Sequence, residues 1–279
     1  MELSHKDVLD LLPNRNPDSH KGDFGKILLL CGSRGYTGAA ALAAMGALRC
    51  GAGLVYLGVP ESIYAIEAIK LNEPVVFPLP EKDGMLSVDA LPKILELLPK
   101  MDAVLMGCGM GCSDDTFQVL QTGFREFSGP IVLDADGINM LAGHIDILRG
   151  RAGITILTPH DMEFQRAGGV LTADRIISAM SFAKNANSIV LLKGHRTIVT
   201  DGTAYYVNPT GNPGMAVGGC GDVLAGMITA LLGQGLPPLE ATACGAWLHG
   251  AAGDICAEEI GQYGMLPTDM AQVLPRLLK

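Results

Sequence analysis

The feature that most limits what this chain can fold into is an alternation. Short apolar runs, each closed by glycine or a polar residue, take turns with longer stretches rich in alanine and leucine. Ile27–Cys31 reads as a buried strand, the glycine-bearing loop GSRGYTG follows, and Ala39–Arg49 reads as a helix. Leu54–Val59 and Glu61–Lys70 repeat the pair. Ala103–Met106 runs into Gly107-Cys108-Gly109-Met110-Gly111, and Asp114–Phe127 is helical. Ile131–Leu133 ends at Asp134-Ala135-Asp136, Thr155–Leu157 at Thr158-Pro159-His160, and Ile189–Leu192 at Lys193-Gly194. Ile198–Thr200 and Ala204–Val207, joined at Asp201-Gly202, form a hairpin. Beyond Gly219 the pattern is helical over about 220–233, 239–259 and 268–278. Strands alternating with helices specify an α/β fold, with a mostly parallel central sheet covered by helices on both faces. No linker, composition shift or repeat period divides residues 1–279, so a single domain is expected.

In such sheets ligands bind beyond the carboxyl ends of the strands. The segments Gly107–Gly111, Asp134–Asp136, His160 and Lys193-Gly194 all fall there. That fixes a place and leaves the chemistry open.

Composition removes several function classes. The chain carries 20 Lys and Arg against 29 Asp and Glu, a net charge of −9, without a basic stripe. Nucleic acid and anionic membrane are therefore not expected partners. The longest apolar stretch, Gly38 to Pro60, is interrupted by Arg49 and by Gly51-Ala52-Gly53, which disqualifies it as a membrane span. The N-terminal residues are charged and polar, unlike a signal peptide, and seven unevenly spaced cysteines make no disulfide framework. A reducing cytoplasm is the expected compartment.

The strongest local signal is Asn212-Pro213-Gly214-Met215-Ala216-Val217-Gly218-Gly219-Cys220-Gly221-Asp222. Its glycines precede a long apolar helix, so consecutive main-chain N–H groups can share one concavity at a helix N-terminus. Gly219, Cys220 and Gly221 would form that anion hole. A carboxylate beside an anion repels it, so Asp222 fits a base that takes a proton from a hydroxyl attacking phosphorus. The alternative is a helix-capping Asp222. There is no Walker A sequence: Gly22–Lys26 (GDFGK) has the wrong spacing and leads into a strand. Gly107–Gly111 imitates a dinucleotide fingerprint, but Cys112 stands where the third glycine belongs. Lys193-Gly194-His195-Arg196-Thr197 suits phosphate or adenosine contacts or, equally, a solvated turn. His160 is a lone histidine, and His249 and Trp247 read as core. Zinc spacings are missing, Cys108 and Cys112 being an isolated pair. No Ser-His-Asp elbow exists, and Cys220 at a helix start is a nucleophile candidate without a nearby His in sequence.

Taken in order, these segments resemble one family. NPGMAVGGCGDVLAGMITALL is similar to the signature of the NAD(P)H-hydrate dehydratases. HKGDFGKILLLCGSRGYTGAAALAA, GCGMG, LDADGINML, LTPHDMEF, LLKGHRTIVTDG and LHGAAGDICAEE support it over nearly the whole chain. Two departures stand out. Cys220 occupies the place of the family's Thr, and Asp161-Met162 that of its Pro-Gly. The resemblance implies a ribokinase-like three-layer fold and repair of hydrated NADH or NADPH. The ring hydroxyl is phosphorylated from a nucleotide, and phosphate then leaves to restore the double bond. For a bacterial-type chain it implies ADP as phosphoryl donor, giving AMP, with Mg²⁺. Carried over by motif, Asp222 is the catalytic base and also lies at the substrate. Ala39, Ala40, Gly109, Gly111 and His160 line the hydrate site. Lys193, Gly194, His195, Arg196, Thr197 and Gly221 bind the nucleotide, and no protein metal ligand is implied. A separate NAD(P)H-hydrate epimerase is the expected functional partner, since the length leaves no room for a fused one, and a homo-oligomer, a tetramer, the expected assembly. Rival readings are a small-alcohol kinase of the same superfamily, a nucleotide sensor without turnover, and a dehydrogenase.

Overall fold

The computed structural model describes residues 1–279. Its central sheet holds nine strands. The first three are β1 (Lys26–Leu30), β2 (Leu54–Pro60) and β3 (Val75–Leu79). A small antiparallel hairpin stands apart, made of β4 (Glu81–Lys82) and β5 (Met85–Leu86). The main sheet continues with β6 (Ala103–Met106), β7 (Ile131–Leu133), β8 (Thr155–Leu157), β9 (Ile189–Leu192), β10 (Ile198–Thr200) and β11 (Tyr205–Val207). In space the order is β11-β10-β9-β8-β7-β6-β1-β2-β3. All pairings are parallel except β9–β10 and β10–β11.

The central strands read as unbroken apolar runs because both faces are covered. Along β1, Ile27 and Leu29 enter one core, while Leu28 and Leu30 enter the other. The helices are α1 (His5–Leu11), α2 (Thr37–Arg49), α3 (Glu61–Lys70), α4 (Leu91–Leu97), α5 (Asp114–Glu126), α6 (Asp136–Asn139), α7 (Asp161–Arg166), α8 (Arg175–Ala186), α9 (Cys220–Gly233), α10 (Pro238–Glu259) and α11 (Pro267–Val273). Buried residues of α2, α9 and α10 fill the first core; those of α4, α5 and α8 fill the second. No helix is long and apolar enough to cross a membrane.

Small residues set how close α9 comes to α2. A Cβ at Gly226 would sit 2.0 Å from the Ala43 carbonyl oxygen, and one at Gly46 2.3 Å from that of Val223. Side chains at these positions would push the helices apart.

The sequence-based elements agree closely with these boundaries, with seven additions: β3, the β4–β5 hairpin, and the helices α1, α4, α6, α7 and α8. The expected helix over 268–278 is instead α11 followed by a 3₁₀ turn, Leu274–Arg276. Pro275 supplies no N–H to continue the α-helix.

Candidate active site

The strand order reverses at β1, whose neighbours are β2 on one side and β6 on the other. The crevice at such a switch point is where an open α/β sheet binds ligands. The loops after β1 and β6 lie against each other there: Gly32 N–H donates to the Cys108 carbonyl at 2.8 Å and the Ser33 hydroxyl to the Gly109 carbonyl at 2.8 Å. Gly109 has φ +61, and a Cβ on it would meet the Cβ atoms of Ala39 and Tyr36 at 2.9 Å. The approach of this loop to the first turn of α2, which carries Ala39 and Ala40, therefore requires glycine. Gly111 N–H donates to the Asp136 carboxylate at 2.9 Å.

The N-terminus of α9 opens on this region. Gly219 is its N-cap, in a left-handed conformation at φ +100 and with no side-chain cap. The amides of Gly219, Gly221 and Asp222 have no acceptor within the chain, as expected for the first turn of a helix without a cap. The Cys220 amide leans on the Val217 carbonyl at 3.4 Å. Its side chain turns the other way, with Sγ 3.8 Å from Met270 Sδ in a small core with Cys256 and Met265. Burial pushes that thiol up to about 11, so the nucleophile alternative has neither an open face nor a thiolate.

Asp222 sits in the first turn of α9, half-buried. Its carboxylate, that of Asp134 and Cys108 Sγ lie within 4.8 Å of one another. Burial raises the Asp222 pKa to about 6, the Asp134 charge adds to the rise, and the Cys108 thiol and Lys193 oppose it. An acid that is mostly ionised near neutrality, yet holds its proton well above the usual carboxylate range, suits a general base.

Lys193 accounts for the balance. Its Nζ is 2.8 Å from Asp134 Oδ1 and 3.6 Å from Glu163 Oε2. Asp134 is almost sealed and also accepts from the Thr158 hydroxyl at 2.6 Å. A Cβ on Gly221 would lie 3.4 Å from both Asp134 Oδ2 and Lys193 Nζ. The uncapped first turn of α9 thus sits directly over the Asp134–Lys193 ion pair.

Around this corner the remaining expected residues form a rim. His160 is the N-cap of α7, its Nδ1 accepting from the Met162 and Glu163 amides at 3.1 and 3.4 Å. Nε2, 3.5 Å from Glu163 Oε1, is left as the donor. Gly194–Thr197 is a turn closed by the Thr197 hydroxyl, which donates to the Gly194 carbonyl at 2.9 Å. Arg196, at φ +57, pairs with Glu2, and His195 is exposed. His249 and Trp247 are buried, as read from the sequence. Trp247 stacks on His5 with centroids 5.2 Å apart, and burial drives His249 down to about 4.

The structure brings Asp222, Gly221 and Lys193 into one cluster. Sequence reasoning missed three members of it. Asp134 was visible only as an acid ending a strand, Cys108 as half of a cysteine pair and Glu163 as a motif letter. A pair of 59-residue separation leaves no trace in local spacing. The carboxylate oxygens of Asp134 and Asp222 outnumber the Lys193 ammonium beside them and suit a hard cation. The Cys108 thiol does not, since Cys31 and burial hold it protonated.

Comparison with known proteins adds to this geometry. The sequence profile of the NAD(P)H-hydrate dehydratase family matches residues 27–276. The chain is 43% identical over 275 residues to the bifunctional NAD(P)H-hydrate repair enzyme Nnr of Moorella thermoacetica, covering 96% of this chain and 52% of that protein. It is 37% identical over 267 residues to the ADP-dependent (S)-NAD(P)H-hydrate dehydratase of Neisseria meningitidis serogroup B, covering 92% and 86%. Among solved structures, the ADP/ATP-dependent NAD(P)H-hydrate dehydratase of Bacillus subtilis, co-crystallised with ATP and Mg²⁺, superposes with a TM-score of 0.85 at 31% identity. That match covers 98% of this chain and 96% of the other. The chain spans about half the length of the bifunctional relatives it matches.

Proposed function

Since the chain belongs to the NAD(P)H-hydrate dehydratase family and has its ribokinase-like fold, we propose that it dehydrates (6S)-hydrated NADH and NADPH at the expense of ADP. The observation that carries the reading is Asp222, a carboxylate with a raised pKa in the first turn of a helix whose leading amides are uncapped. Asp222 takes the proton of the ring hydroxyl as its oxygen attacks the terminal phosphorus of ADP, and the bond to AMP breaks. The amides of Gly219 and Gly221 stabilise the charge on the moving phosphoryl group. The C–O bond of the phosphorylated ring then breaks, phosphate departs, and loss of the neighbouring ring proton restores the double bond of NADH or NADPH.

Ala39, Ala40, Gly109, Gly111 and His160 form the hydrate side of the crevice. The Lys193–Thr197 turn and Gly221 form the nucleotide side. Lys193 anchors the base of that turn, its ammonium held by Asp134 and Glu163 and its N–H donated to the Pro159 carbonyl at 2.8 Å. Mg²⁺ arriving on the phosphates would face the oxygens of Asp134 and Asp222, and when bound it would offset negative charge on the transferred group. An epimerase, on another chain or on a longer form of this one, would supply the (6S) epimer.

The experiment is incubation with hydrated NADH or NADPH, Mg²⁺ and either ADP or ATP. The expected result is recovery of the reduced-nicotinamide absorbance with stoichiometric AMP and inorganic phosphate from ADP. A stable phosphate ester without regained absorbance would reject dehydration in favour of an alcohol kinase.

A further inference from the structure

The two rims of the crevice meet where the Lys193 N–H donates to the Pro159 carbonyl at 2.8 Å and its ammonium faces Glu163, and a further side chain ties them from outside. Arg175 opens α8, remote in sequence from every motif considered above. Its Nη1 donates to Asp161 Oδ1 at 2.6 Å and its Nη2 to the Lys193 carbonyl at 2.9 Å. Asp161 follows His160 directly, and Lys193 begins the Lys193–Thr197 turn. Gly194 is adapted to the contact, since a Cβ there would lie 2.9 Å from Arg175 Nη2. The base of the arginine is fixed. The Asp174 carboxylate caps α8 by accepting from the Ile176 and Ile177 amides at 2.9 and 3.0 Å.

Fold stability does not explain this arrangement. Asp161 is about half exposed, at 48%, and a pair of that kind contributes little to folding. What the guanidinium adds is geometry, because its planar fork holds two acceptors from two loops at a fixed spacing. Phosphoryl transfer needs the attacking oxygen and phosphorus held in line, where a displacement of about 1 Å costs on the order of 100-fold in rate.

We propose that Arg175 is a positioning residue that registers the His160 loop against the Lys193–Thr197 turn, so that the hydrate and the nucleotide are presented to each other. The proposal rests on the function proposed above. Asp161 is its partner on the hydrate side and the Lys193 carbonyl its partner on the nucleotide side.

The test compares Arg175→Ala and Asp161→Asn with the parent. Three quantities are measured: ADP affinity by calorimetry without hydrate, the KM values for ADP and hydrate, and the thermal midpoint. Arg175→Ala is expected to weaken ADP binding and raise the hydrate KM, each roughly tenfold, the usual size of coupling between sites. Its thermal midpoint should move by no more than about 2–4 °C. Asp161→Asn leaves the arginine on the Lys193 carbonyl, so the hydrate KM should rise while ADP affinity stays within about twofold. Parental ADP affinity and KM values in Arg175→Ala would overturn the proposal. So would an Asp161→Asn variant that loses ADP and hydrate affinity equally. If Arg175→Ala fails to fold, the Asp161→Asn split decides alone. If the parent binds ADP without dehydrating anything, the function reading fails, and ADP affinity in Arg175→Ala still decides the nucleotide side of the brace.

Discussion

Two helices of nearly equal length begin at the carboxyl ends of strands, and their first turns are built in opposite ways. In α5 the Ser113 hydroxyl accepts from the Thr116 amide at 3.1 Å, Thr116 Oγ1 accepts from the Ser113 amide at 2.9 Å, and Asp114 and Asp115 load the turn with negative charge. Every local preference for a helix start is met, and the turn has nothing left to offer a ligand. In α9 the cap is a left-handed glycine, no side chain returns to the amides, and the one acid in the turn is Asp222, which points at the buried Asp134–Lys193 pair. In the function proposed above, the anion site is made by withholding a cap that α5 shows this chain can build. The sequence neighbourhood of α9 forgoes a cap at its first turn and places there Asp222, the proposed base.

The largest effect expected from that contrast is on Asp222. Asp222→Asn should keep ADP binding and lower turnover by on the order of 10²–10⁴, the span of a lost general base. Steady-state rates with hydrated NADH check it, and near-parental turnover would assign Asp222 to capping. The same variant should be more heat-stable at neutral pH. Asp222 has a folded value of about 6 against an ordinary 3.8, so the folded chain holds this proton more tightly than the unfolded chain. Stability from this group therefore falls as pH rises through that window, and an amide removes the penalty. Gly221→Ala sharpens the point. A methyl 3.4 Å from Asp134 Oδ2 and Lys193 Nζ fits sterically and favours the helix, yet crowds the place where the phosphoryl group must pass. Its midpoint should hold or rise while turnover falls by roughly 100-fold.

The pH profile comes next in size. A base must be ionised to accept a proton, so kcat/KM should drop about tenfold per unit as pH falls below about 6, the value to which burial and Asp134 raise Asp222. An acid limb near the ordinary carboxylate value would place Asp222 in open water. His249 adds a separate stability effect. Its folded value of about 4 lies below the ordinary 6.5, so it favours the fold above that range and ceases to do so as pH falls through it.

How much of this was legible follows the same division between local and distant terms. Buried parallel strands and α9 announce themselves, because both faces of the strands are apolar and the helix is apolar nearly all round. Strand β3 does not. It lies at the sheet edge with Val75 and Pro78 exposed and Leu79 buried, and a proline inside a run argues against a strand unless it is an edge. Helix α8 buries mainly Ser178, Ala179, Phe182, Ala183 and Ala186, too small a stripe to stand out among polar neighbours. At the site, the motif residues were nameable one at a time. What the spacing could not give was that the Lys193 ammonium serves Asp134 and Glu163, or that Cys220 faces away from the hole its amide borders.

Ser113→Ala isolates the other half of the comparison. It removes the α5 cap, which costs about 1 kcal/mol, or roughly 2–4 °C of midpoint in a chain of this size, while kcat and KM stay parental. Thermal melts and rates on one preparation check both statements. A kinetic change would mean that α5 also takes part in the crevice, contrary to its filled first turn.

The smallest expected effect is also the most discriminating about how α9 works. If its N-terminus acts through main-chain amides, the side chain at position 220 is a packing element, and its exchange should be felt by the core and not by the reaction. Cys220 Sγ lies against Met270 Sδ, and its thiol is held protonated by burial. In Cys220→Thr, turnover should stay within about twofold, and the midpoint should fall slightly as a hydroxyl enters a sulfur-lined core. Loss of turnover with the fold intact would give the thiol a chemical role. It would also break the contrast with α5, because α9 would then be reading its ligand with a side chain after all.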